Sequence, residues 1–88
     1  MVKKEIKVIN ELGMHMRPAG ILAKRAMAYN NCDITLRVNG KSVNAKALMQ
    51  IMSAGVKCGN TVEIICDGMD EEMALDELVG LFEGGFGE

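Results

Sequence analysis

A tight hairpin in the middle of the chain is the feature that most constrains its fold. Residues 33–38 alternate between polar and apolar, so one face of this strand collects Ile34, Leu36 and Val38. Asn39-Gly40 follows, a dipeptide typical of the two-residue turns that close hairpins, and residues 41–44 return as a short strand. The hairpin therefore favours an antiparallel sheet.

The rest of the chain adds two strands and three helices. Alternation predicts strands at residues 2–9 and 61–67. Apolar residues at spacings of three and four predict two amphipathic helices, whose buried stripes are Ala19, Leu22, Ala23, Ala26 and Tyr29 or Asn30 in the first, and Ala74, Leu78, Leu81 and Phe82 in the last. Pro18 suits the first turn of the first helix, and Asn30-Asn31 ends it.

The ends of the other two helices are also marked. Asn44 or Ala45 is expected to open a short helix that runs through Ser53 and stops at Gly55. Asp70 is expected to cap the last helix, and Gly84-Gly85 to terminate it. The resulting order, βαββαβα, predicts an α+β fold in which one antiparallel sheet carries its helices on one face. At this length we expect a single domain over residues 1–88.

The short middle helix has almost no polar face. A one-sided core cannot bury apolar side chains that point in every direction around a helix. We therefore expect some of Leu48, Met49 and Met52 to stay exposed as a docking patch, which adaptable methionines would suit. The alternative is a short helix sunk deep in the core.

Composition excludes several classes of function. One histidine and three widely spaced cysteines without a CxxC pair form no recognisable metal site. No apolar run is long enough to span a membrane, and no apolar segment follows the N-terminal charges, so we expect a soluble cytoplasmic protein without direct membrane insertion. A sequence pI of about 5.4 and a single tyrosine argue against nucleic-acid binding. Charge is uneven: residues 1–60 sum to +7, and residues 61–88 to −9.

The single histidine, His15, lies between the first strand and the first helix. One interpretation is that it only caps the helix; another is that its neutral imidazole nitrogen attacks phosphorus. The backbone N–H groups of Met16 and Arg17 at the helix start would then receive the negative product. The Arg17 guanidinium matches phosphate oxygens, and Lys24 would add a rim charge two turns along. Metal ligation lacks partner ligands, and general base catalysis lacks any sign of a substrate pocket.

The stretch Gly13-Met14-His15-Met16-Arg17-Pro18-Ala19 resembles the G-[LIM]-H-x-R-P-A signature of HPr, the histidine-containing phosphocarrier family of the bacterial sugar phosphotransferase system. Residues 39–46 and 49–55 resemble the second motif of that family, and the likeness covers essentially the whole chain. The resemblance implies an open-faced β-sandwich: four antiparallel strands with three helices on one side. It implies a monomeric protein substrate without cofactor or turnover of its own.

The resemblance also implies a mechanism and partners. His15 would accept a phosphoryl group at Nδ1 from phosphorylated enzyme I and pass it to the A domain of a sugar-specific enzyme II. Arg17 would stabilise the phosphate, and the middle helix would supply the apolar part of the partner surface.

Three positions depart from the family pattern. Ala47 stands where Gram-positive members carry a regulatory serine, Gln50 where glycine is frequent, and Met16 where alanine is usual. The alternative function is therefore an HPr-like paralogue that acts as a regulatory binding module or serves a phosphorelay unconnected with sugars.

Overall fold

The computed structural model describes residues 1–87, so Glu88, the last residue of the expected domain, lies outside the described residues. The elements follow the predicted order βαββαβα and end in a 3₁₀ turn. They are β1 (Val2–Lys7), α1 (Met16–Met27), β2 (Cys32–Val38), β3 (Lys41–Asn44), α2 (Leu48–Ser53), β4 (Thr61–Gly68), α3 (Glu71–Glu83) and the 3₁₀ turn Gly85–Gly87.

The predicted hairpin is confirmed. β2 and β3 pair antiparallel with Val38 opposite Lys41, and Asn39 and Gly40 both have positive φ, 53° and 76°, as a type I′ turn requires. The four strands form one antiparallel sheet in the order β1-β4-β2-β3. β1 and β2 are therefore not neighbours in the sheet, because β4 lies between them.

Three helices cover one face of this sheet. α3 packs on β1 and β4, α2 contacts β3, and α1 contacts both α2 and α3. The buried side chains form one cluster, which includes Ala19, Leu22, Ala23 and Ala26 of the stripe predicted for α1, together with strand residues such as Leu36. The predicted end of that stripe is wrong: Tyr29 and Asn30 follow the last residue of α1, Met27, and are half-buried and exposed. Within residues 1–87, no helix combines the length and the hydropathy that crossing a membrane requires.

α2 begins later than predicted, at Leu48 instead of Asn44 or Ala45. Asn44 still pairs with Thr35 in the sheet, and the Ala45 N–H donates to the Ile34 carbonyl at 2.9 Å. Because these backbone groups belong to the hairpin, the helix can start only after a further turn.

α3 departs from the prediction in two details. Asp70 is its N-cap residue, but it has φ 58° and its side chain makes no capping hydrogen bond. The Glu71 carboxylate in the first turn accepts the N–H of Gly68, the last residue of β4, at 3.0 Å. The buried face is also rotated, so that Val79 is buried and Leu81 only half-buried.

A carboxylate joins the two long helices. Glu77 of α3 accepts hydrogen bonds from the Arg25 guanidinium in the last turn of α1 and from the Tyr29 hydroxyl just after that helix. Hydrogen bonding to Tyr29 and then to Arg25 lowers the pKa of Glu77. The same hydrogen bond to Glu77 raises the pKa of the Tyr29 hydroxyl to about 12. Folding thus favours ionised Glu77.

We predict that Glu77→Gln lowers the free energy of unfolding by about 1 kcal/mol at pH 7, because it removes a charged acceptor of two hydrogen bonds. A carboxyl whose pKa is lower in the folded state stabilises above its unfolded pKa, and loses that contribution as pH falls through the folded value. The difference in free energy of unfolding between wild type and Glu77→Gln should therefore shrink as the pH is lowered from 7 through the folded-state pKa of Glu77. Urea unfolding measures this difference. The neighbouring exposed Asp76→Asn is the control, and a pH-independent difference would contradict the assignment.

Candidate functional site

The loop before α1 is held against the loop after α2 by main-chain contacts. The Met14 N–H donates to the Val56 carbonyl at 3.1 Å, and the Gly13 N–H donates to the Asn10 carbonyl at 3.0 Å. Gly13 has φ 66°, and a Cβ added there would lie 2.3 Å from the Val56 oxygen and 2.9 Å from Lys57 Cα. Only glycine fits this approach.

His15 is the N-cap residue of α1. Its backbone is extended, with φ −74° and ψ −172°, and its carbonyl accepts the Ala19 N–H at 3.0 Å, which starts the helix. The imidazole is half-buried and makes no capping hydrogen bond. Capping the helix is therefore not what this side chain does.

The start of α1 is electrostatically positive. Its first turn contains no acidic residue. The backbone N–H groups of Met16 and Arg17 belong to this first turn, where N–H groups have no acceptor within the helix. Pro18, which is buried, lacks an N–H and fixes φ for the helix. Such a helix start attracts anions.

Two exposed cations of α1 share one side of the helix. Arg17 and Lys24 are both exposed and lie seven residues apart, which places them on the same stripe about 10 Å apart along the axis. Met16 is also exposed, at 59%. The positive surface therefore continues from the helix start along α1.

α2 exposes part of its apolar surface, as its composition predicts. Met49 is 74% exposed, whereas Leu48 and Met52 are half-buried and pack against the core. The predicted patch thus consists mainly of Met49, with Leu48 and Met52 at its base. α1 and α2 contact one another.

Ala47 is the N-cap residue of α2, and alanine is a poor cap because it has no side-chain acceptor. The surrounding turn is held by other groups. The Asn44 side chain accepts the Lys46 N–H at 2.9 Å, and the Gln50 side chain accepts the Asn44 N–H at 2.9 Å. Gln50 therefore has a local role that glycine could not fill.

One buried polar residue was not predicted from sequence. Asn10 is 4% exposed, and its side-chain amide donates to the Gly85 carbonyl at 2.8 Å, across 75 residues of chain. An asparagine in a predicted loop is ordinarily exposed, so no local signal could have found this contact.

The three cysteines differ from one another in burial. Cys32 and Cys66 are buried in the sheet, Cys58 is exposed, and all three are free. Burial raises the pKa of the Cys66 thiol to about 12, which keeps it protonated and unreactive. Within residues 1–87, no group of three or more His, Cys, Asp or Glu side chains is arranged to hold a metal ion.

Fold and site together define a class: small open-faced α+β sandwiches that present one histidine at the positive start of a helix. The family model described as "PTS HPr component phosphorylation site" matches residues 2–84. The chain therefore belongs to the HPr family, whose members are phosphocarriers of the phosphotransferase system and not catalysts in the usual sense.

Individual relatives support the assignment of this chain to the HPr family. The chain is 41% identical to the phosphocarrier protein HPr of Borreliella burgdorferi over 85 residues, 94% of this chain and 95% of that one. It is 34% identical to the HPr-like protein Crh of Halalkalibacterium halodurans, over 94% and 98% of the two chains. A crystal structure of HPr from Thermoanaerobacter tengcongensis superposes with TM-score 0.95 at 41% identity, covering 100% and 98%; a dimer of HPr from that organism gives 0.79.

We predict that Gly13→Ala destabilises the protein by about 3 kcal/mol, because it adds a main-chain clash to an unfavourable φ. Gly55→Ala is a matched control: Gly55 has φ 67° but nothing within 4 Å of an added Cβ, so only the φ penalty of about 1 kcal/mol remains. Urea unfolding measures both. Equal losses would show that the contact with Val56 does not constrain the loop.

Proposed function

We propose that this chain is a phosphocarrier that accepts a phosphoryl group on His15 from phosphorylated enzyme I and delivers it to the A domain of a sugar-specific enzyme II. The observation that carries the proposal is the placement of His15 as the N-cap residue of a helix whose first turn contains no acidic residue. Phosphate at this point meets backbone N–H groups and the positive end of the helix.

In the proposed transfer, the lone pair of Nδ1 attacks phosphorus, the N–P bond forms and the bond from phosphorus to the donor group breaks. The second transfer reverses the roles, with an acceptor group of enzyme II attacking the same phosphorus. Arg17 offers a planar guanidinium to the phosphoryl oxygens, and the N–H groups of Met16 and Arg17 add backbone donors. The protein holds the group and needs no cofactor.

The same proposal assigns partner binding to α1 and α2. Lys24 extends the positive stripe of α1, and Met49 with Leu48 and Met52 forms the apolar part of the surface. Enzyme I and enzyme II would use this surface in turn, to which flexible thioether side chains adapt.

Ala47 has no hydroxyl, so the proposed carrier lacks the family's regulatory phosphorylation at that position. We further propose that it works in the cytoplasm as a monomer, although a related HPr from Thermoanaerobacter tengcongensis is known as a dimer. Light scattering at micromolar concentration measures the oligomeric state directly.

The alternative function is a regulatory module of the same fold that docks without transferring phosphate. The 34% sequence identity to the HPr-like protein Crh supports this alternative. His15 and Arg17 favour the carrier, because docking alone requires neither a nucleophile nor a phosphate-binding guanidinium.

We predict that incubation with enzyme I and phosphoenolpyruvate adds one phosphoryl group, measured by intact mass, and that acid removes it while base does not. His15→Ala should abolish the gain, and Arg17→Gln should slow it at least tenfold because the oxyanions lose their guanidinium partner. Ser42→Ala, which changes an exposed hydroxyl on β3, outside α1 and α2, is the control. An undiminished gain in His15→Ala would refute the assignment.

We also predict that Met49→Lys raises the KM of enzyme I for this protein about tenfold, because it replaces exposed apolar contact area by a charge. The kcat should stay within about twofold, since His15 is unchanged. Met73→Lys is the control, as Met73 is 63% exposed on α3. Equal effects of the two variants would exclude the α2 patch from docking.

A further inference from the structure

A groove of about 430 Å³ lies between the loop that precedes His15 and the end of α3. Residues 9–12 form one wall, and residues 83–85 form the other. It is distinct from the surface proposed for phosphotransfer partners, which lies on α1 and α2.

The first wall of this groove exposes two apolar side chains. Ile9 is 55% exposed and Leu12 is 77% exposed, so two large aliphatic side chains meet solvent within four residues. An apolar side chain of a partner that covers this pair would remove apolar surface from water, which favours binding.

The groove is also negative. Glu11 and Glu83 are exposed, one on each wall. α3 ends here at Gly84, and its last turn contains no basic residue to balance the negative end of the helix. The sequence supplies none nearby along the chain either, since residues 61–88 contain nine acidic and no basic residues.

Hydrogen bonds fix the two walls relative to each other. The buried Asn10 amide donates to the Gly85 carbonyl at 2.8 Å, which joins the walls at the floor of the groove. The Asn10 carbonyl accepts the Gly13 N–H at 3.0 Å, which joins the floor to the turn before His15. The groove is therefore preformed, and an occupant would pay little to order it.

We propose that this groove binds a basic, apolar segment of a protein partner, with an arginine or lysine between Glu11 and Glu83 and a leucine-like side chain against Ile9 and Leu12. Charge complementarity selects this occupant, because the groove combines two carboxylates and an unbalanced helix C-terminus with a pair of aliphatic side chains. Binding here requires no phosphorylation, so the proposal stands independently of the phosphocarrier function.

The test is an NMR titration of the ¹⁵N-labelled full chain with three capped pentapeptides: Ala-Leu-Arg-Leu-Ala, its charge-reversed analogue with Glu for Arg, and Ala-Ser-Arg-Ser-Ala. The first peptide should shift amide signals of residues 9–13 and 83–86 in a saturable manner. The other two should bind at least fivefold more weakly.

Variants locate the binding site. Glu83→Gln and Glu11→Gln should each weaken binding of the first peptide about threefold, and the double variant about tenfold, as expected for exposed charge pairs. Glu5→Gln, an exposed glutamate on β1, is the matched control and should leave the affinity unchanged. Leu12→Ser should weaken binding with the charges intact.

Three results would overturn the proposal: no saturable shifts at millimolar peptide, equal binding of the charge-reversed peptide, or shifts centred on α2. Repeating the titration with His15→Ala separates the two proposals, because that variant should lose phosphorylation and retain the peptide site.

Discussion

The position of His15 depends on a contact between two stretches of main chain. Gly13 lies so close to Val56 that no side chain fits, and the Met14 N–H is hydrogen-bonded to the same carbonyl. Val56 follows α2 by only three residues, so this contact ties the start of α1 to the end of α2. The histidine and the exposed Met49 therefore belong to two helices that are joined by a direct main-chain contact.

Most of the fold could be predicted because local patterns determine it. Alternation located the strands, Asn39-Gly40 located the hairpin, and helical spacing identified the buried stripe of α1. The errors lie at boundaries. α2 starts late because Asn44 is still paired in the sheet, and Asp70, which adopts a left-handed backbone conformation before α3, makes no capping hydrogen bond with its side chain.

The site was only partly predictable, for a physical reason. His15, Arg17 and the apolar α2 helix are local signals, readable from residue type and spacing. The hydrogen bond from Asn10 to Gly85 joins residues 75 positions apart, and the contact of Gly13 with Val56 requires knowing which loops meet. No periodicity encodes either contact. The hydrogen bond from the Asn44 N–H to the Gln50 side chain is shorter in range. It depends on the turn before α2, which the sequence pattern assigns to the helix itself.

The loop before His15 lies between two helix ends of opposite sign. α1 begins there without an acidic residue in its first turn, and α3 ends beside it without a basic residue in its last. Proteins commonly balance both kinds of end with their own side chains. Here neither end is balanced within its helix, and the positive one adds Arg17 whereas the negative one adds Glu83. The loop therefore separates a helix start that attracts anions from a helix end that attracts cations, which is why the two sites proposed on its two sides take groups of opposite charge.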